Sequence, residues 1–281
     1  MPNNIELKLL GYADDTNVFI CREVDLLALN EILDIYCEVT GAKINVRKTK
    51  IMGFGEWRNK ITWPGNRYTP ELSSLKCLGI NYYNEWQETI TNNWLVIERK
   101  INTHIRCVSQ RPLTIFQKSF YTNTVLLSKM LYMANIISVH CEFVKRIVKC
   151  IFSFIWNGKY NPVKREILYL PKNKRGLGIQ NIQHKCNSVL LKSFLKFYTK
   201  EHKFTKFTAY FCEFRLSAVL PKYVEEMDYA SPPYYTYILN LCRNVMHLPS
   251  FPMITCKMIY NVLNPEHKSE IEDKYPLSFL P

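Results

Sequence analysis

Two adjacent carboxylates, Asp14 and Asp15, interrupt the apolar run LLGYADDTNVFI at residues 9–20. Ionised carboxylates resist burial unless a cation or a partner compensates for the lost hydration. The two aspartates must therefore lie at an exposed turn, bind a cation, or do both. Residues 5–9 and 17–21 alternate as short strands. The pattern predicts a β-hairpin with residues 12–16 as its connection and both carboxylates at its tip.

The net charge of the chain points to a polyanionic partner. The 281 residues are 47% hydrophobic, enough for two or three packing units, and carry a formal charge of +13. Residues 1–220 contain 32 Lys and Arg against 17 Asp and Glu, whereas residues 221–281 contain 5 against 7. This excess favours nucleic acid or an acidic membrane surface, and a solvated basic surface is the alternative.

The ten cysteines are scattered without any C-x-x-C pair, which argues against a zinc knuckle or a disulfide framework. His140 with Cys141 and His184 with Cys186 are the nearest candidates for metal pairs. Each pair lacks further partners at ligand spacing, so we interpret both as structural.

The sequence predicts an intracellular protein, in the nucleus or cytoplasm and not secreted. The first ten residues have no basic segment followed by an apolar one, which a secretory signal requires. The apolar stretch at residues 125–141 contains Lys129 and is too short to cross a bilayer comfortably. We therefore expect a buried helix there and no membrane partner.

The first part of the chain reads as strands plus one helix. Leucines at helical spacing follow Glu23, and Gly41 is suited to cap the helix. Residues 48–55 and 74–83 each predict a strand. This pattern is typical of an α+β fold.

Helical periodicity dominates from residue 86 to 156. Pro112 is placed to begin the second long helix. Beyond it, residues 165–171 predict a short strand, and residues 181–200 predict an amphipathic helix with Lys192, Lys196 and Lys200 on one side.

Several motifs follow one another in an informative order. Tyr-Ala-Asp-Asp at a hairpin tip resembles the catalytic hairpin of reverse transcriptases. The later segments GAKINVRKTKIMGFG, LKCLGINYY, FSFIWNGK and REILYLPKNKRGLGIQNI resemble landmarks of LINE-type non-LTR retrotransposon polymerases, with Arg175 where the family often has glycine. The resemblance covers roughly residues 5–200, and the ordered set is more specific than any single motif.

The resemblance implies an organisation in three parts. Residues 1–85 correspond to a partial reverse-transcriptase palm, a short antiparallel sheet plus a helix. Residues 86–160 correspond to a helical thumb, and residues 161–281 to a helical C-terminal region.

The resemblance also implies a set of site residues. Asp14 would be a Mg²⁺ ligand and Asp15 its supporting neighbour, because two-metal nucleotidyl transfer uses carboxylates as hard oxygen ligands. A calcium loop is a poorer interpretation, since DDTNVF lacks alternating oxygen ligands and a closing Glu. RNA and DNA, as primer and template, would contact the following residues: Tyr12, Lys43, Lys48, Leu78, Gly79, Lys172, Lys174 and Arg175.

The chain also departs from the family pattern. The resemblance implies a third carboxylate on an earlier palm strand, together with fingers and an endonuclease, and residues 1–11 are too short to supply them. We expect a truncated reverse-transcriptase fragment that binds Mg²⁺ weakly or not at all and does not extend a primer alone.

Two alternatives stay open, and one consequence follows. The chain could be a nucleic-acid-binding or scaffold module derived from such a polymerase, or a helical interaction protein in which YADD is a chance turn. Because the hairpin would lack its neighbouring strand, we expect self-association through an exposed strand edge within residues 5–21.

Overall fold

The structure is a computed structural model that describes most of the first 198 residues. The described part comprises residues 9–159 and 162–198, followed by residues 234, 237, 238, 240, 241 and 256–263; the side chains of 196–198 are outside it. No helix in these ranges is both long and apolar enough to span a membrane.

Within the described residues, six short strands form three two-stranded sheets. Strands β1 with β2 and β5 with β6 are antiparallel, whereas β3 and β4 pair in parallel. Their bounds are Leu9–Tyr12 (β1), Asp15–Val18 (β2), Lys50–Ile51 (β3), Thr69–Pro70 (β4), Ser74–Cys77 (β5) and Ile80–Tyr83 (β6).

Helices account for most of the remaining described chain. Short 3₁₀ turns cover Gly55–Trp57 and Lys172–Lys174, and a π-helical segment covers Thr122–Leu126. The α-helices are Val24–Thr40 (α1), Trp86–Ser109 (α2), Ile115–Tyr121 (α3), Ser128–Ala134 (α4), Cys141–Ile155 (α5), Arg165–Tyr169 (α6), Ile182–Tyr198 (α7) and Cys256–Leu263 (α8).

The predicted α+β fold class is confirmed. Among the described residues, those up to Asn92 form one compact unit and those from Asn93 onward form another. The first unit contains all the strands and the second is helical. The division into palm, thumb and C-terminal region stays a prediction.

The core of the first unit is small and is organised by α1. Leu26, Trp63 and Tyr68 are buried together, and partly buried apolar side chains surround them: Ile20, Leu29, Ile44, Ile51 and Trp57. Asn30 of α1 accepts a hydrogen bond from the Tyr68 hydroxyl at 2.7 Å. As predicted, the helix ends at Gly41, whose φ of 70° lies in the left-handed region that glycine enters freely.

The second unit has a larger core. Trp94 of α2 is 1% exposed, stacks at 4.8 Å on the Phe143 ring and donates its indole N–H to the Ser138 carbonyl at 2.8 Å. Ile101, Ile147 and other large side chains of α2, α4 and α5 are also fully buried.

Two predicted strands are wrong. Residues 74–83 form a hairpin rather than one strand, because Leu78 and Gly79 take φ values of 47° and 81° and reverse the chain. Residues 165–171 contain helix α6, whose Leu168 is buried, because their alternating pattern is too short to distinguish a strand from a helical turn.

The start of α3 and the stretch around Lys129 also differ from expectation. The N-cap of α3 is Thr114, so the helix begins after it and not at Pro112. Thr114 and Gln117 exchange hydrogen bonds in a capping box. The helix expected at 125–141 is interrupted: α4 ends at Ala134 and α5 begins at Cys141.

The predicted strand at 48–55 is only the two residues of β3, and residues 5–8 of the first predicted strand lie outside the described residues. Helix α7 agrees with the helix predicted at 181–200, with Lys192 exposed; the Lys196 side chain and Lys200 lie outside the described part.

We predict that Leu26→Ala lowers the free energy of unfolding of the first unit by about 2–5 kcal/mol, because it opens a cavity in a small core. Urea unfolding followed by far-UV circular dichroism and tryptophan fluorescence measures the change. Ile32→Ala on the same helix is the matched control, since Ile32 is 63% exposed. Equal losses in the two variants would contradict this assignment of the core.

Candidate functional site

The carboxylate pair lies at the tip of a tight hairpin. Tyr12 pairs with Asp15, so Ala13 and Asp14 alone form the turn, and Ala13 has a φ of 50°. The connection is therefore two residues long, shorter than the five predicted at 12–16. Tyr12 is 67% exposed, and both carboxylates are exposed. Tyr12 and Asp15 are directly opposite, so they share one face of the hairpin, and Asp14 projects from the turn.

This donor set fits Mg²⁺ in kind but not in number. Carboxylate oxygens are the hard ligands that Mg²⁺ prefers. In the part of the chain that the structure describes, no group of three or more His, Cys, Asp or Glu side chains could hold a metal ion. Asp14 and Asp15 would therefore hold only part of a two-metal site.

The hairpin pairs with no other strand within the described ranges. It is attached through Ile20, just after β2, which packs against the core of the first unit. Two-stranded hairpins are marginal in water by themselves. Self-association through a free edge stays a prediction.

The segment after α1 is shaped by Asn45 and Thr49. The Asn45 carbonyl accepts hydrogen bonds from the N–H groups of Lys48 at 3.0 Å and Thr49 at 2.9 Å, and its side-chain oxygen also accepts from the Lys48 N–H. Ile44 packs inward. The turn leaves Lys43 and Lys48 exposed.

Leu78 and Gly79 form the two-residue turn between β5 and β6. Both have positive φ, as in the tight hairpin turns that match strand twist. Leu78 is 42% exposed, whereas Ile80, which begins β6, is 1% exposed.

The cations Lys172, Lys174 and Arg175 lie in one turn of the second unit, and all three are exposed. Arg175 has a φ of 62°, the left-handed region that favours glycine. Arginine thus occupies a glycine-type backbone position. Gly176 follows immediately, and a Cβ there would lie 1.9 Å from the Leu170 carbonyl oxygen. We call residues 172–175 the basic turn.

Helix α3 and the π segment hold the chain that follows the basic turn. Ser119 donates to the Leu177 carbonyl at 2.8 Å, and Asn123 donates to the Gly178 carbonyl at 2.7 Å. Asn123 also accepts from the Gln180 N–H at 3.0 Å. These bonds fix the position of residues 177–180, directly after the basic turn.

A buried lysine escaped prediction from the sequence. Lys118 is 3% exposed, donates to the Phe154 carbonyl at 2.8 Å and to the Asn157 side chain, and so caps the end of α5. Burial lowers the pKa of Lys118. The signal was weak, because one lysine in an amphipathic helix is ordinarily solvated.

In the two histidine–cysteine pairs, His140 caps a helix and Cys186 is part of the core. His140 accepts the Glu142 N–H at the start of α5. Cys186 is buried, which raises the pKa of its thiol to about 12, and burial lowers the pKa of His184.

The predicted site residues thus fall into two groups. Tyr12, Asp14 and Asp15 share one hairpin of the first unit, where Lys43, Lys48, Leu78 and Gly79 occupy two other turns. Lys172, Lys174 and Arg175 share the basic turn of the second unit.

Comparison with known proteins links the chain to a transposon. No family model matches it. The "Transposon TX1 uncharacterized 149 kDa protein" of Xenopus laevis is 21% identical over 257 residues, which are 90% of this chain and 19% of that protein. The chain therefore spans about one-fifth of that relative's length and is similar to a transposon-encoded protein.

We predict that Arg175→Gly raises the free energy of unfolding of the second unit by about 0.5–1 kcal/mol. The gain arises because glycine relieves the left-handed strain, partly offset by its greater entropy when unfolded. Urea unfolding followed by the helical circular-dichroism signal measures it. Arg175→Ala, which keeps a Cβ, separates strain from loss of charge: an equal gain in that variant would refute the strain.

Proposed function

We propose that this chain forms the catalytic hairpin, thumb and following region of a LINE-type non-LTR retrotransposon reverse transcriptase. The observation that carries the proposal is the exposed Asp14–Asp15 pair at a two-residue hairpin tip, with Tyr12 beside it on the same face as Asp15. The similarity to a transposon-encoded protein supports the same origin.

In this proposal the hairpin receives the end of the primer. Asp14 and Asp15 would supply part of the ligands for Mg²⁺, whose chemistry in nucleotidyl transfer is activation of the primer hydroxyl and stabilisation of the leaving phosphates. Tyr12, with 67% of its surface exposed, offers a flat face to the terminal nucleotide. Asp14 and Asp15 supply negative charge and oxygen ligands. With only these two carboxylates at the tip, we do not expect the isolated chain to polymerise.

The cations would bind the rest of the primer and template. Lys43 and Lys48 in the first unit and the basic turn in the second are exposed cations. Lysine and arginine that neutralise phosphates release condensed counterions, which drives association. The formal charge of +13 agrees with this role.

A second candidate is a nucleic-acid-binding or scaffold module without catalysis. The exposed basic turn favours it, since that surface needs no metal. The two candidates differ in where the primer end binds. A polymerase places it at the hairpin, whereas a binding module does not require contact between the primer end and the hairpin.

We predict that a DNA primer ending in a 3′-terminal 4-thiothymidine, annealed to an RNA template, crosslinks to residues 9–18 on irradiation. Peptide mass spectrometry locates the adduct. The reason is that the proposal brings the primer end against Tyr12. A primer with the same photoreactive base one helical turn upstream is the control and should label other residues.

Terminal-probe adducts spread over both units, with no enrichment in the hairpin, would refute the polymerase assignment and favour the binding module. Labelling of the hairpin by both probes equally would also refute it.

We predict that the primer–template duplex binds with an affinity that falls steeply between about 50 and 200 mM salt. The triple variant Lys172→Glu, Lys174→Glu, Arg175→Glu should bind more weakly. Its log–log salt slope should be shallower by roughly 0.9 for each phosphate that the basic turn neutralises in the wild type. Fluorescence anisotropy of a labelled duplex measures both quantities.

A triple variant of equal charge controls for the net charge of the protein. It reverses exposed lysines of α2 and α5, namely Lys100, Lys145 and Lys149. Equal effects of the two triple variants would show that the basic turn is no special contact. Absence of binding at low salt would refute nucleic-acid binding altogether.

A further inference from the structure

Two phenyl rings stand exposed on α3. Phe116 is 59% exposed and Phe120 is 67% exposed, although Lys118 and Ser119 between them are buried. Residues four apart on a helix lie on the same side, one turn from each other. The helix therefore shows two neighbouring aromatic rings to solvent while Lys118 and Ser119 point inward.

Polar side chains that neighbour these rings hold the segment that follows the basic turn. Ser119 is three residues from Phe116 and Asn123 is three residues from Phe120, so each of these polar side chains is a neighbour of one ring at the border between the exposed and the inward side. Ser119 and Asn123 donate to the Leu177 and Gly178 carbonyls. A Cβ at Gly178 would lie 4.0 Å from Cγ of Lys172. Residues 177 and 178 therefore connect the side chains that neighbour the rings with Lys172, the first residue of the basic turn. We call Phe116, Phe120 and residues 172–175 the aromatic–basic surface.

We propose that the aromatic–basic surface binds single-stranded nucleic acid, with bases stacked on Phe116 and Phe120 and phosphates against the basic turn. The inference deepens the proposed function and rests on it, because it assigns to that nucleic-acid contact a strand that is not base-paired. An aromatic side chain stacks on any base, since every base has a π face. Within a duplex those faces are covered by neighbouring bases, so the rings select a single strand.

Charge decides which occupant fits the rings. The exposed side chains Lys172, Lys174 and Arg175 are all cationic, and Asn173 between them is neutral. The phosphate groups of a single strand can contact these cations one after another, while its bases stack on the phenyl rings. A protein partner would need both acidic groups for the cations and apolar groups that pack on the rings. Measuring the binding of a single-stranded oligonucleotide distinguishes the two occupants.

The test measures binding of a fluorescein-labelled oligothymidylate of about 16 nucleotides by anisotropy. We expect the double variant Phe116→Ala, Phe120→Ala to bind this strand at least roughly tenfold more weakly and the primer–template duplex unchanged. Phe116→Leu with Phe120→Leu should also weaken binding, because leucine keeps apolar surface but offers no flat face. Phe116→Tyr with Phe120→Tyr should retain affinity.

The salt slope gives an independent readout. Stacking is not electrostatic, so the Ala and Leu variants should keep the wild-type slope, whereas the basic-turn reversal should reduce it. Phe54→Ala is the control for removing an exposed ring, since Phe54 is 51% exposed in the first unit. It should bind like the wild type, and circular dichroism should show each variant folded.

The failures of this inference and of the proposed function are distinguishable. If the protein binds the duplex but the Ala and Leu variants bind the single strand like the wild type, the stacking surface is refuted and the proposed function stands. The same holds if the loss is equal for single strand and duplex. If the wild type binds neither, both proposals fail.

Discussion

The polar side of α3 is the constraint on which the second unit depends. Lys118 and Ser119 of α3 and Thr122 of the adjoining π segment are buried, and Asn123 of that segment is partly buried. A buried polar group without a hydrogen bond costs about 1–3 kcal/mol. Each of these side chains has a hydrogen-bond partner. Lys118 donates to the Phe154 carbonyl, and Ser119 donates to the Leu177 carbonyl. Thr122 donates to the Lys118 carbonyl, whereas Asn123 donates to the Gly178 carbonyl and accepts from the Gln180 N–H. The hydrogen bonds of these polar side chains therefore fix both the end of α5 and the segment that follows the basic turn. It also turns Phe116 and Phe120 outward, since the inward side is occupied.

Several of the motif residues that carry the family resemblance control backbone conformation. Gly41 ends α1, Asn45 closes the next turn, Gly176 allows close approach to the Leu170 carbonyl, and Asn181 accepts the His184 N–H at the start of α7. A shared motif of this kind indicates a shared chain path more directly than a shared activity. The proposed contact residues are instead exposed side chains near or before these positions: the carboxylates of the hairpin, the lysines after α1 and the basic turn. Function on such a framework is carried by loops that rigid elements position.

The sequence predicted the features that follow from strong physical costs and missed those that depend on tertiary context. The hairpin tip was predictable because two carboxylates resist burial without a partner, and Gly41 because glycine readily adopts the left-handed conformation that commonly ends a helix. The turn at Leu78 and Gly79 was missed, since leucine rarely adopts the φ of 47° it has here. Helix α6 was missed because five residues are too few to show a period. Lys118 could not be predicted as buried, because its two acceptors are contributed by residues 36 and 39 positions away in sequence.

The two units bury unequal amounts of apolar surface, and this inequality separates the two candidate activities. Among the described residues, the main apolar cluster of the first unit has three buried side chains supported by five partly buried ones, whereas α2, α4, α5 and α7 share an extensive core. Because apolar burial is the dominant stabilising term, local opening requires less free energy in the first unit. The carboxylate hairpin is attached to the weaker core, and the aromatic–basic surface belongs to the stronger one. Under the proposed function, binding through the second unit would therefore persist under conditions that open the hairpin, whereas chemistry at Asp14 and Asp15 would require additional contacts to hold the hairpin in place.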